Sequence, residues 1–386
     1  MSYSFPYILL IIFFLSIASI QLGIPFEEKS RRYINYSIII VYILFFGFRG
    51  FIATDWISYY SYFKDLPIDF AIALKKSSFE PGFVVYSVLI KKIFSSYEAF
   101  QFINTLTNVC LLHFFFKKYL PGKYYAFGFA VFIVFYGGIL EINLLRNFKA
   151  LFLFLIALPY IEQRKPFKYF TLIFIALLFH WSSIVFIPLY FFLHKKIPIK
   201  FFLIIFIVGS IIYLLQIQFI TPLIKSTSSL LPSNMSGRIL NYLQNSIYAK
   251  SYGLTFGYFE RTLVAFLILL YYKKITYIKQ NILFVNSFLI FISLYLYCSE
   301  VTIILERVAS NFAYSYWIMI PLIIINIDRN IKPIAFVFFC LLFIAKIHMI
   351  TNFVFYDYDS FLSGNHKTYE VRYNIIKKNQ HIFIKK

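Results

Sequence analysis

Charge is scarce in this chain. Only 14% of its 386 residues are Asp, Glu, Lys or Arg, where a soluble domain carries about a quarter. With 61% hydrophobic residues and a mean hydropathy of +0.75, that shortage excludes a water-soluble globular protein. Cysteine is scarce too. Cys110, Cys298 and Cys340 lie in apolar runs, are odd in number and lack metal-ligand spacing. They are expected as small core residues and imply no disulfide framework. There is no Walker A sequence, no GxGxxG, no GxSxG elbow and no HExxH pair, which removes a nucleotide-driven engine and the common soluble hydrolases. No second histidine stands at ligating distance from His180, so neither a metal nor a cofactor is expected. Short apolar–polar alternation is also missing, which argues against an outer-membrane barrel.

What is present is a series of long apolar runs separated by short basic loops, the pattern of an all-α integral membrane protein. Runs at 5–24, 36–52, 99–116, 124–140, 142–161, 201–220, 258–272, 282–297, 312–327 and 334–350 give roughly ten spans in one helical bundle. The first lacks a positive n-region and a small-residue cleavage site, so it is expected as a retained span. Residues 83–94 are too short to span and read as an interfacial or re-entrant helix. The segment 167–193 is broken by His180-Trp181-Ser182-Ser183 and Pro188. Read as a re-entrant hairpin, it puts Lys29–Arg32, Lys117/Lys118/Lys123, Arg164/Lys165/Lys168, Lys195/Lys196/Lys200, Lys273/Lys274/Lys279 and Arg329/Lys332 on one side, as the positive-inside rule requires. The net charge of +21 then marks cytoplasmic loops, and no nucleic-acid partner is implied. Domain organisation follows: one transmembrane domain, 1–350, and a C-terminal tail, 351–386. Outer-face loops fall at 53–98, 221–257 and 300–311, with a turn at Leu140/Glu141. The tail also falls outside, although its basic residues pull the other way.

Charged groups left over after the inner loops are removed carry the functional signal. Arg49, Arg146, Lys149, Arg238, Arg261 and Arg307 fall on the outer side with Asp55, Glu80, Glu141, Glu260, Glu300 and Glu306. Arg49 ends an apolar run and Asp55 follows it among aromatic rings. Ionisable groups so placed are costly and point to function. Asn143, Arg146 and Asn147 stand at i, i+3 and i+4, with Lys149 three further on, and are expected on one helical face toward a polar cavity. The alternative is a pair of snorkelling anchors at a helix end. Arginine's planar fork suits phosphate and pyrophosphate, so Arg49, Arg146, Lys149, Arg261 and Arg307 are the candidate substrate-binding residues. Asp55, then Glu80, then His180 are the candidates for the base that takes a proton from a sugar hydroxyl. The rings at Trp56, Tyr59, Tyr60, Tyr62 and Phe63 admit two readings, an interfacial belt or platforms for sugar rings.

Several short blocks in order resemble a known family. Phe48-Arg49-Gly50, Thr54-Asp55-Trp56 with Tyr59-Tyr60, Glu80-Pro81-Gly82-Phe83, Leu145-Arg146-Asn147 and Phe179-His180-Trp181-Ser182 resemble the EpsG-like branch of the Wzy polysaccharide polymerases. They cover about the first half of the chain; the second half agrees mainly in span count and in Arg307 before a late span. The family form has a glycine nearer the aspartate, where this chain has Ala53-Thr54, and often glutamine where it has Asn147. The resemblance implies a fold like that of multispanning lipid-donor glycosyltransferases. It also implies a metal-independent polymerase of O-antigen, capsular or exopolysaccharide repeat units carried on undecaprenyl pyrophosphate. Such an enzyme works at the outer face of the cytoplasmic membrane, with lipid-linked donor and acceptor, membrane lipid, and a flippase and chain-length regulator as partners. The alternatives are an O-antigen ligase and a flippase or other transporter; a transporter would be expected to show repeat symmetry, which is absent.

Overall fold

The computed structural model describes residues 2–228, 254–301, 305, 307–364 and 366–379. Helices dominate the described residues, which hold no strand and one isolated antiparallel bridge, Arg49 with Ser360. In chain order they are α1 (Phe5–Gly23), α2 (Glu28–Tyr42), α3 (Trp56–Asp65), α4 (Phe70–Lys76), α5 (Pro81–Ile93), α6 (Tyr97–Tyr119), α7 (Tyr125–Phe132), α8 (Gly138–Ile142), α9 (Leu145–Glu162), α10 (Pro166–Phe179), α11 (Ile199–Leu214), α12 (Ile220–Ser228), α13 (Phe256–Leu270), α14 (Asn281–Tyr297), α15 (Ser315–Asn326), α16 (Lys332–Thr351) and α17 (Tyr369–Lys378). Four helical segments are long and apolar enough to cross a membrane: Phe5–Gly23, Tyr97–Tyr119, Gly122–Ile142 and Lys332–Thr351. Pro166–Phe179, Trp181–Phe192, Ile199–Leu214, Asn281–Tyr297 and Ser315–Asn326 are apolar but shorter.

The described residues fall into two compact units. One takes those up to Tyr190 and those from Arg329 onward; the other takes those from Phe191 to Asp328. In the first, α1 and α16 run antiparallel. Ser4 Oγ and His348 Nδ1 lie 2.7 Å apart at one end, while Gly23 and Lys332 line one cavity at the other. Helices of about 20 residues put those ends roughly 30 Å apart, a bilayer's hydrocarbon thickness. Apolar side chains such as Ile334 and Leu341 on α16 stay uncovered, a surface that suits lipid better than water.

Local breaks position the site. The helical run from Gly122 kinks at Phe135–Tyr136, where Tyr136 takes φ +74°. Gly137 follows because a Cβ there would sit 2.4 Å from the Phe132 carbonyl oxygen. The kink sets α8 at a new angle, with Glu141 facing inward. A second break falls at Leu144, outside helical geometry between α8 and α9. The expected helical stripe of Asn143, Arg146 and Asn147 is therefore cut: Asn143 caps the end of α8 before the break, and α9 begins at Leu145.

The aromatic stretch has neither of its two expected settings in full. Trp56, Tyr59 and Phe63 are buried in a core cluster with Phe51, Phe83, Phe100, Leu145, Phe355 and Ile376, while Tyr60 and Tyr62 pack against it partly covered. The tail completes that cluster. Gly50 N donates to Asp359 O (2.7 Å), Ala53 N to Phe355 O (2.7 Å) and Phe361 N to Phe48 O (2.9 Å). Tyr369 stacks on Tyr60. The cysteines also differ from expectation: Cys110 is exposed and the other two are half-buried, all of them free.

Candidate active site

Two groups of charged residues meet in the first unit. The inner one surrounds Glu141, which is fully buried. Its Oε2 accepts from Tyr42 Oη and Asn108 Nδ2, both at 2.8 Å, and its Oε1 accepts from Thr105 Oγ1 at 2.6 Å. Arg49, also buried, places Nη1 3.8 Å from Glu141 Oε1 and donates from Nη2 to the Glu141 carbonyl at 2.9 Å. Its Nη1 also donates to Phe46 O (2.5 Å) and Thr105 Oγ1 (3.3 Å). Lys149 Nζ donates to Asn108 Oδ1 (2.6 Å) and Asn104 O (3.1 Å) and lies 5.2 Å from the Tyr86 ring centre. One carboxylate thus sits among two cations and three neutral donors, the satisfied arrangement that a buried charge requires. The ionic partner of Arg49, expected as a substrate contact, is Glu141.

The outer group centres on Arg146, in the first turn of α9. Its guanidinium forms an ion pair with Glu80, in which Arg146 keeps 24% of its side chain exposed and Glu80 only 7%. The Phe79 ring centre lies 4.2 Å from Arg146 Cζ, and the guanidinium donates to the Tyr59 phenol. Arg146 Nε is buried with no acceptor among the described residues. Glu80 precedes Pro81 at the start of α5, a favoured first helical residue. That start lies hard against the end of α10, because a Cβ on Gly82 would meet the Leu178 carbonyl oxygen at 2.8 Å. The second Glu80 oxygen accepts from Trp181 N at 3.4 Å. His180 breaks the helix just before: its Nδ1 accepts from Ser182 N at 3.1 Å and opens the 3-10 turn Trp181–Phe186. Glu80, Arg146 and the His180 break, read separately from the sequence, therefore converge.

Asp55 stands at the start of α3, held by Asn143. The Asn143 Oδ1 accepts from Thr54 N (3.3 Å) and Asp55 N (3.4 Å). Tyr59 joins Asp55 to Arg146. Burial pushes the Tyr59 phenol up, the Arg146 charge draws it down, and the Asp55 charge pushes it up again. Ala53, before this turn, takes φ +62°, the left-handed region that glycine favours.

The remaining candidates lie in the second unit. Arg261 covers the Tyr295 ring at 3.9 Å, beside the buried Glu260. Arg307 is exposed, and its carbonyl accepts from Asn311 Nδ2 at 2.7 Å. Glu300 closes the start of α12 by accepting from Phe219 N, Ile220 N and Thr221 N. Arg238, Glu306 and most of the 221–257 loop lie outside the described residues. Tyr42, Thr105 and Asn108 were not singled out in the sequence. A usable signal was there: Gln101, Asn104, Thr105 and Asn108 form a polar stripe at helical spacing within the otherwise apolar α6.

No curated protein and no solved structure matches the chain. The model of the EpsG family matches residues 32–366, a range that holds every one of these charged residues, and the chain belongs to that family.

Proposed function

We propose that the chain polymerises oligosaccharide repeat units carried on undecaprenyl pyrophosphate. In this reading the growing glycan moves from its lipid carrier to the non-reducing end of an incoming lipid-linked unit, at the outer face of the cytoplasmic membrane. Family membership supports a role in polysaccharide polymerisation. The observation that carries the finer reading is Arg146. It is oriented by Glu80, Phe79 and Tyr59, partly open, and buried at an Nε with no acceptor among the described residues. Such a preorganised fork suits a doubly charged pyrophosphate.

The proposed step forms a bond between the acceptor hydroxyl oxygen and the donor's anomeric carbon. The bond from that carbon to the pyrophosphate oxygen breaks, and lipid pyrophosphate leaves with the negative charge, which Arg146 stabilises. The hydroxyl proton goes to a carboxylate, Asp55 in first place. Both Glu80 oxygens are engaged by Arg146 and Trp181 N, so we assign Glu80 to hold the arginine. His180 shapes the break behind it. Arg49 and Lys149, bound into the Glu141 network, set the positive potential from behind, and Arg261 and Arg307 remain candidates for further phosphate contacts. Donor and acceptor are both lipid-linked oligosaccharides, and a flippase and a chain-length regulator are the partners such a system needs.

The test is Arg146→Ala in the host. The expected product is acceptor lipid bearing single repeat units. Full-length polymer from this variant would refute the assignment of Arg146, and complete loss of attached glycan would favour a ligase.

A further inference from the structure

The other end of the first unit holds a cavity of about 670 Å3 between the C-terminal end of α1 and the N-terminal end of α16. This volume falls within the range of about 300–1,000 Å3 typical of small-molecule sites. Among the described residues, three cations line it, Lys123, Arg329 and Lys332, and no carboxylate does. They come from two loops about 200 residues apart in sequence, and the charges of Lys123 and Lys332 repel one another. Asp328, next to Arg329 in the chain, pairs instead with Lys274 at 3.9 Å. A neighbouring cavity lined by Arg31, Arg32 and Lys117 differs in holding its own carboxylate, Glu28, which pairs with Arg32.

Leu22, Pro333 and Phe336 add an apolar side to the wall, beside Ser19 and Tyr124. Gly23 faces open space, since a Cβ there would meet nothing within 4 Å. Ile20, Ile24, Ile331 and Ile334 are exposed along the adjoining helix ends. Mutually repelling cations beside an exposed apolar flank match a ligand with an anionic head and hydrocarbon tails.

We propose that this cavity binds the phosphate headgroup of an anionic phospholipid, with its acyl chains along the exposed flanks of α1 and α16. The site is independent of the polymerase reading. It lies at the opposite end of α1 and α16 from the Ser4–His348 contact, and none of Arg146, Glu80 and Asp55 lines it, so its occupant is a membrane lipid and not the glycan donor in its reacting position.

The protein in an uncharged detergent is titrated with phosphatidylglycerol, phosphatidylcholine or inorganic phosphate, and retained lipid is counted by native mass spectrometry beside the melting midpoint. Phosphatidylglycerol should be retained and should raise the midpoint. The triple variant Lys123→Gln, Arg329→Gln, Lys332→Gln should weaken retention by on the order of a hundredfold, at about fivefold per cation. Gly23→Phe, which fills the cavity and keeps all three charges, should also lose the lipid. A control triple, Lys195→Gln, Lys196→Gln, Lys200→Gln, should not. Equal retention of phosphatidylcholine, an equal effect from inorganic phosphate alone, or wild-type retention by either site variant would overturn the proposal.

Discussion

Glu141→Ala is the perturbation whose consequence the structure fixes most tightly. The carboxylate is fully buried and accepts from Tyr42, Thr105 and Asn108 while facing Arg49. Removing it strands one buried arginine and leaves Lys149 tied to an Asn108 that has lost its acceptor. Hydrogen bonds to a charged group contribute about 1.5–3 kcal/mol each. Breaking a buried pair from one side costs about 3–5 kcal/mol in total, because solvation of the freed groups is not regained. The expected loss is therefore about 3–5 kcal/mol, a large share of a stability of about 5–15 kcal/mol. Glu141→Gln should cost less. Its carbonyl can still accept from Tyr42 and Asn108, and the Thr105 hydroxyl can turn to accept from the new amide. The assay is denaturant unfolding in detergent, with a double-mutant cycle against Arg49→Met. Glu141→Met with Arg49→Met removes both charges, so the double variant should be less damaged than the sum of the singles by about 2 kcal/mol or more. A loss below about 1 kcal/mol for Glu141→Ala, with additive behaviour in the cycle, would refute the view that this network holds the site together.

Three further outcomes follow from particular residues. Ala53→Gly should raise stability by about 0.5–1 kcal/mol in the same assay, because the left-handed backbone at φ +62° is strained for alanine; Ala53→Val should lower it. Asp55→Asn and Glu80→Gln should differ in kinetics. Loss of a base lowers kcat by about 10²–10⁴-fold, while a loosened Arg146 raises the donor KM as well; the same pattern from both variants would contradict the division of roles. In the outer cluster, burial pushes Tyr62, Tyr356 and Tyr358 up to about 12. A phenol raised above its unfolded value of about 10 stabilises the fold below that pH, and the contribution is lost as pH rises toward 12. The melting midpoint should stay level through neutral pH and fall between about pH 10 and 12, followed by the tyrosinate absorbance.

The parts of the site written in local sequence were legible. Arg146 near the start of an apolar run, Glu80 before a proline and the His180 break each announce themselves, and the fold brings them together. In the sequence Glu141 is only an outer-side carboxylate in a turn, because its role as the centre of a buried network depends on the kink at Tyr136 and on donors from α2 and α6. The same holds for Arg49, whose partner lies 92 residues away. The tail's pairing with Phe48–Ala53 spans about 300 residues, a separation that no periodicity encodes. Apolar runs were visible as runs, but hydropathy does not record where a helix breaks. At Tyr136, Leu144 and His180 the backbone leaves helical geometry inside or between apolar segments. Four described segments reach spanning length, against roughly ten runs counted by composition.

The most direct test of the central claim uses purified protein in proteoliposomes with synthetic undecaprenyl-pyrophosphate-linked repeat units and no ion gradient. The expected products are a ladder of glycans growing by one repeat unit and released undecaprenyl pyrophosphate in matching amount, with neither from Arg146→Ala. Translocation of intact lipid-linked units without any ladder would contradict it.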